Sequence, residues 1–432
     1  MINRKINRLL SSILGVALTA GIIQMPVYAD DNVQVASSYS SNTNLTKDET
    51  NIKNNDKNIE QNGLKISINK IIASKHKLRA TIIVKNENSF DKTKRANAEM
   101  ILSYGDNMTN GQSVSSNYAD DKTLVITITR NINKGELPEK GPLRIDLVIP
   151  TYKINLGIDE DMDFSEAFKD SIEKDLSINV PACNFTINKL ESDLLGTHIT
   201  FSKADNDSLD RNYSLSEHPN LILKAGDKMY LLKPSGSYSS SSSVNVKDNK
   251  VILGGYESEA ANYEVVKDQS NISVIPIICN MTSNELESYY KDLYKSYEKH
   301  KNSTDSTINK DILNNVYYTK TIDFSDGTKG EIYNIERNND VIKVYCKGAT
   351  EKESLLMATN TNIHYKPDES KTYNGYYSGN TRITFSKDPG DALGYILEFT
   401  GVYKDKTIEL TSDTIIKQID NFKIGDEIQL SK

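Results

Sequence analysis

The chain holds no tryptophan, three cysteines and five histidines, and these shortages exclude several chemistries before any pattern is read. Cys183, Cys279 and Cys346 are too few for a disulfide framework. Cys183 and Cys279 flank one stretch of chain and leave a single pairing open; as free thiols all three read as small apolar strand residues. His76, His198, His218, His300 and His364 lie far apart, with no HExxH run and no i, i+4 pair, so neither a zincin nor a compact zinc site is indicated. His198 alternates with Thr197 and Ile199 and reads as a solvent-side strand residue. Serines crowd Ser235-Gly236-Ser237-Tyr238-Ser239 without the G-x-S-x-G elbow, and the run Ser239 to Ser243 reads as loop. Excess positive charge is also missing: 52 Lys and Arg stand against 59 Asp and Glu, a net −7 that speaks against a nucleic-acid partner. The expectation is a non-enzymatic chain with no catalytic residue, no metal ligand and no cofactor.

Long apolar runs are equally scarce. The one that exists, Leu9 to Met25, follows Arg4, Lys5 and Arg8 and ends at Pro26. Val27 and Ala29 then offer small or modest residues at the −3 and −1 positions of a signal-peptidase site, ahead of Asp30. Residues 1–29 read as a cleaved export signal, with the cut between Ala29 and Asp30, or as a membrane tether through residues 9–25. The run falls a little short of the ~20 apolar residues that span a bilayer. Both readings put Asp30 onward in an extracytoplasmic location, secreted or anchored by the N-terminal segment.

What the sequence does have is alternation. Residues 30–62 are polar and aperiodic and read as a disordered stalk. From Gly63, apolar residues recur at every second position: Leu64, Ile66 and Ile68, then Leu78, Ala80, Ile82 and Val84, with Ser74 to Lys77 as the turn. Strands follow at Glu99 to Tyr104, Thr123 to Arg130 and Leu143 to Ile149. The opening pattern returns: Ile66-Ser67-Ile68-Asn69-Lys70-Ile71 matches Phe185-Thr186-Ile187-Asn188-Lys189-Leu190, and a looser copy begins at Ile332-Tyr333-Asn334-Ile335. A later strand, Asp121 to Thr127, is echoed at Asp248 to Leu253 and at Asp405 to Thr411. These repeats predict a mainly β chain of tandem immunoglobulin-like antiparallel sandwiches over 63–181 and 182–281, with a β-rich third domain over 303–432, joined end to end by exposed linkers.

Two short helices are expected to interrupt. Asp163-Phe164-Ser165-Glu166 has capping-box spacing, with Phe164, Phe168 and Ile172 on one helical face. Thr282-Ser283-Asn284-Glu285 repeats the device for a linking helix over 282–302, striped by Leu286, Tyr289, Tyr290, Leu293 and Tyr297.

The hairpin Gly63 to Lys70 with Leu78 to Lys85, the corner Tyr104-Gly105-Asp106 and the Asp121 to Thr127 strand resemble domain of unknown function 4179. That family is the immunoglobulin-like extracytoplasmic part of certain Gram-positive anti-sigma factors. The resemblance covers Gly63 to about Asn179 best and implies further immunoglobulin-like domains after it. Sigma-binding members carry a cytoplasmic domain ahead of the membrane segment, a place where Met1 to Arg8 offers eight residues. The resemblance therefore implies a surface-exposed sandwich and not sigma-factor binding.

Two candidate sites remain. Asp159, Asp161, Asp163 and Asp170 invite comparison with a calcium loop, but its sixth and twelfth places hold Phe164 and Asp170 where glycine and glutamate are needed. Among 24 tyrosines, Tyr373, Tyr376 and Tyr377 gather around Gly375 in a hairpin-like loop. Tyrosine suits strands generally, and exposed rings stack on sugars. The reading is a cell-envelope protein acting by surface contact or sensing on an unknown envelope protein or cell-wall ligand. The alternative is a glycan-binding module or cell-wall hydrolase accessory using the tyrosine loop.

Overall fold

A computed structural model describes residues 59–91, 96–105, 112–132, 135–204, 219–235, 243–246, 249–282, 284–285, 288, 307–308, 320–365, 382–402, 407–412 and 419–430. The chain is mainly β, and its strand pairs are antiparallel. The first unit comprises β1 (Ile59–Gln61), β2 (Leu64–Ala73), β3 (Lys77–Asn86), β4 (Glu99–Tyr104), β5 (Gln112–Tyr118), β6 (Thr123–Asn131), β7 (Lys140–Ile149) and β8 (Ile154–Asp163). A sheet ordered β1-β2-β3-β6-β5 and a second ordered β4-β7-β8 close over Ile66, Leu78, Ile82, Leu102, Ile126 and Leu147. The alternation in the sequence is thus the inward face of each strand. The unit departs from its expected bounds of 63–181 at both ends: Ile59, inside the stretch 30–62 expected to be a stalk, already pairs with β2 and packs on this core, while residues 172–180 pair with and pack on the second unit.

The second unit comprises β9 (Ile172–Val180), β10 (Phe185–Asp193), β11 (Gly196–Ala204), β12 (Asn220–Ala225), β13 (Lys228–Pro234), β14 (Ser243–Val246), β15 (Asn249–Ser258) and β16 (Ile272–Cys279). The third comprises β17 (Thr307–Ile308), β18 (Lys320–Asp323), β19 (Lys329–Asn338), β20 (Val341–Lys347), β21 (Thr361–Tyr365), β22 (Arg382–Lys387), β23 (Tyr395–Thr400), β24 (Ile408–Ser412), β25 (Phe422–Ile424) and β26 (Ile428–Gln429).

The three opening hairpins share a defect. In β2 the pairing with β3 skips Asn69, in β10 the pairing with β11 skips Asn188, and in β19 the pairing with β20 skips Tyr333. Each skipped residue is a β-bulge, and it shifts the inward positions by one: Ile66 and Ile68 give way to Ile71, Phe185 and Ile187 to Leu190, and Ile332 to Ile335. The late strand pairs with the second hairpin strand in the first two units, β6 with β3 and β15 with β11. In the third unit that place belongs to β23, which pairs with β20. β24 instead lies in a separate sheet ordered β17-β24-β21, so the echo at Asp405 to Thr411 is one of sequence only.

The second and third units are not joined end to end. β13 pairs with β22 through Met229 and Phe385, and β16 pairs with both β25 and β26, so one fifteen-stranded sheet runs through both units. The layer β13-β12-β16 is buried on both faces: Leu221, Leu223, Leu232, Val274 and Ile278 enter the second core, while Ile222, Met229, Ile277 and Cys279 enter the third. The expected linkers assumed that each unit closes its own core; a two-sided layer removes that need. The same division keeps Cys183 apart from Cys279, the one pairing left open by the sequence. Cys183 lies in the second core and Cys279 and Cys346 in the third, all buried and unbonded.

The helix expected at Asp163 does not form. β8 runs to Asp163, whose carboxylate accepts from the backbone N–H and hydroxyl of Ser165, and one turn closed by Phe168 N–H to the Phe164 carbonyl (3.0 Å) leads into β9. The reason lies in the stripe itself: Phe164 and Phe168 plug the first core, with Phe164 edge-on to Tyr104 at 5.3 Å, whereas Ile172 packs on the second core. The capping box at Thr282 is made, since Glu285 accepts from the Thr282 N–H (2.7 Å) and Thr282 Oγ1 accepts from Glu285 N–H (3.4 Å). The stripe from Leu286 to Tyr297 lies outside the described residues. A ten-residue helix appears elsewhere, Glu351–Asn360, opened by a capping box between Thr350 and Glu353. Leu355, Leu356, Met357 and Ala358 are all buried in it. A helix buried on every side shows no stripe.

One buried charge stands out in the first unit. Arg130 on β6 is 1% exposed, donates from Nη1 to the Leu102 carbonyl (3.3 Å), and among the described residues finds no partner for Nε or Nη2. Burial pushes its pKa below the ordinary value. The Leu102 carbonyl also accepts from Gln112 Nε2 (2.9 Å), so it keeps a donor without the arginine. Arg130→Met is therefore expected to be neutral or to stabilise the first unit by up to about 4 kcal/mol. Urea denaturation reads this directly, and a midpoint that falls by the equivalent of about 2 kcal/mol or more would contradict it.

Candidate functional site: a charged seam between the first two units

The register of the second unit sets one row of side chains across five strands. Glu173 on β9 faces Glu191 on β10, Glu191 faces His198 on β11, His198 faces Glu257 on β15, and Glu257 faces Lys233 on β13. Two carboxylates directly opposite repel. Lys189 resolves the conflict by reaching both, with Nζ 3.0 Å from Glu173 and 2.5 Å from Glu191.

The first unit lands on this row with bases. Its β2–β3 turn is closed by Ser74 N–H to the Lys77 carbonyl (2.8 Å) and tied to the segment after β6 by Leu137 N–H to the Lys75 carbonyl (2.7 Å) and Ile132 N–H to the His76 carbonyl (2.8 Å). So fixed, Lys75 reaches Glu173 (2.9 Å) and Lys77 reaches Glu257 (3.0 Å), while Arg79 forks onto both oxygens of Glu259. His76 Nε2 stands 3.4 Å from Glu191. Leu194, from the β10–β11 turn, adds an apolar contact to the first core. In each contact across the seam the base comes from the first unit and the acid from the second.

The electrostatics follow the geometry. Burial works to raise the Glu191 carboxyl, but His198, Lys189 and His76 outweigh it and hold the group down to about 2. Lys75 and Lys189 hold Glu173 below the ordinary carboxylate range, and Glu173 in turn raises Lys75.

Two chemistries can be weighed here. His76, Glu173 and Glu191 place ligand atoms within 4.8 Å of one another, a spacing that suits a metal ion. Both carboxylates are already engaged by the ammonium groups of Lys75 and Lys189, and a divalent cation among them would meet like charge. Ser235 Oγ, His198 and Glu191 also stand in the order of an acyl-transfer relay, at 3.4 and 3.5 Å. Those contacts are at the long limit of hydrogen bonding, Ser235 is 7% exposed, and its own N–H is spent on the Gly255 carbonyl (2.9 Å) instead of serving an oxyanion.

The candidates from sequence fare differently. Ala29, Asp30, the tether 9–25, Tyr373, Tyr376 and Tyr377 lie outside the described residues. Asp159, Asp161 and Asp163 lie on the outward side of β8, strung along a strand and not curled around a centre; Lys140 takes Asp163 (2.8 Å) and Arg144 takes Asp159 (3.3 Å). His198 does occupy the outward face of β11, and the first unit stands beside it. Nothing in the local sequence marks His76, Lys189, Glu173 or Glu191, because their partners are brought together by strand register within the second unit and by the seating of the β2–β3 turn on it.

Among the described residues no helix is long and apolar enough to cross a membrane. No family model and no curated protein matches the chain. Among solved structures, the crystal structure of the conserved domain protein from Bacillus anthracis is similar over 52% of this chain and 76% of that one, at 16% identity and a TM-score of 0.35. At that score the likeness carries no argument.

Proposed function

We propose that this chain is a non-enzymatic, exported cell-envelope protein, related to the extracytoplasmic part of anti-sigma factors through domain of unknown function 4179, and acting by surface contact or sensing. The observation that supports this reading is the seam. Its acids and bases are spent on one another, and what they accomplish is to hold the first unit on the second. The second and third units, fused through a shared sheet, act as one body; the first is a separate body seated by charge. Such a two-part construction suits a protein that reports contact by a change in how its parts meet, with an envelope protein or a cell-wall ligand as the partner. Fractionation of producing cells tests the location: the protein is expected in the envelope or the medium, starting at Asp30 if the signal is cut. Recovery of the full chain from the cytosol would overturn the proposal.

A further inference from the structure

His76 sits in the seam in a form that its neighbours dictate. Its Nδ1 is 3.0 Å from the Gly135 carbonyl, which can only accept, so Nδ1 carries a hydrogen. A neutral His76 then turns the bare lone pair of Nε2 toward a Glu191 oxygen 3.4 Å away, electron pair against electron pair. A second proton converts that opposition into a charge-assisted contact. The other Glu191 oxygen is 3.5 Å from His198 Nδ1, so one carboxylate of the second unit lies between two imidazoles, one from each unit.

The groups around His76 are few and can be named. Lys75 and Lys77 flank it on its own turn, and Glu136 reaches Lys75 from the segment after β6 (3.6 Å). From the second unit come Glu173 on β9, Lys189 and Glu191 on β10, His198 on β11, Glu257 on β15 and Lys233 on β13. Lys75 and Lys189 are raised, and Glu173 and Glu191 lowered, by one another, so these four keep their charges across the range in which imidazoles titrate; burial lowers Lys233, which stands opposite Glu257 at the far end of the row.

We propose that the seam is a proton-operated latch: His76, protonated, draws the first unit onto Glu191 of the second, and His76, neutral, lets it slacken. The latch deepens the sensing reading and rests on it for its use, but not for its existence. The sign follows from linkage. The Nε2 contact with Glu191 favours the charged histidine, so its contribution is full in mild acid and is lost as pH rises through the range in which imidazoles titrate. Glu191 sets the opposite limit, because docking favours its anion and that contribution is lost as pH falls toward 2. The latch is therefore tightest in mild acid.

The test uses the full chain with dyes on Glu87→Cys, one residue past the far end of β3, and Asp268→Cys in the second unit; the three native cysteines are buried. Energy transfer is expected to fall between pH 5.5 and pH 8, the closed-to-open ratio changing about tenfold for each unit by which docking raises proton affinity. His76→Gln should flatten the profile. Glu191→Gln, which removes the anion and keeps the histidine, should flatten it too, with circular dichroism at both pH values checking that each variant remains β. A flat wild-type profile, or one that survives both substitutions, overturns the latch. Because the measurement uses purified protein, its failure leaves the envelope location standing, and a cytosolic location would leave the latch standing.

Discussion

A chain that ends at residue 418 is expected to lose the folded state of the second and third units together, and not only its last strands. β25 and β26 complete the sheet beside β16, through Asn280 N–H to the Asn421 carbonyl (2.7 Å), Gly425 N–H to the Pro276 carbonyl (2.8 Å) and Leu430 N–H to the Ile272 carbonyl (2.7 Å). The side chains divide between cores: Ile419 and Phe422 enter the third and Leu430 the second. At about 1.5–3 kcal/mol for each large apolar side chain buried, the three contribute roughly 5–9 kcal/mol, as much as the whole margin of many domains. Urea denaturation of the truncated chain should show one transition, that of the first unit, and proteolysis should leave a resistant fragment close to residues 59–171. A truncated chain whose second unit still melts cooperatively would show that β16 does not need its C-terminal partners.

The second large effect is expected at Gly196, where β11 begins. Its φ is +139°, and a Cβ there would lie 2.5 Å from the Ser258 carbonyl oxygen and 2.9 Å from Glu259 Cα, both backbone atoms with little freedom to move. Gly196→Ala combines a backbone conformation costing about 1–3 kcal/mol with a clash that displaces the end of β15, and a total loss of about 3 kcal/mol or more is expected. Gly63 is the control. Its φ is +77° but a Cβ would meet nothing within 4 Å, so Gly63→Ala should cost only the about 1–2 kcal/mol of a left-handed residue. Thermal denaturation of the two variants reads the difference. Equal losses would mean that the ends of β11 and β15 adjust freely. Because Glu257 and Glu259 stand at that end of β15, Gly196→Ala should also loosen the seam.

Strand positions were legible because a pleated strand writes its buried face into every second residue. The alternation marks both ends of Glu99–Tyr104, and the hairpin of β2 and β3 with its turn. Even the bulges left a trace, in the extra residue between Ile68 and Ile71 and between Ile187 and Leu190. Helices were harder for opposite reasons. The stripe at Phe164, Phe168 and Ile172 mixes residues of two cores, and the helix Glu351–Asn360 has no stripe because it is enclosed, although Thr350 and Glu353 carried its cap in plain view. The shared layer could not be read, since β12 and β16 look like any buried strand until their two faces are assigned to different neighbours. The seam was invisible for a related reason: Lys75 and Glu173 are 98 residues apart and Lys77 and Glu257 are 180 apart.

Because the chain returns at Leu430 to the second core, tension applied between Ile59 and Leu430 has a load path that bypasses the third core altogether. Pulled between these two residues, the molecule would yield first where ion pairs meet water, at Lys75, Lys77 and Arg79, and only later where β26 must shear from β16. The third core would ride as unloaded ballast on a tether that ends before reaching it.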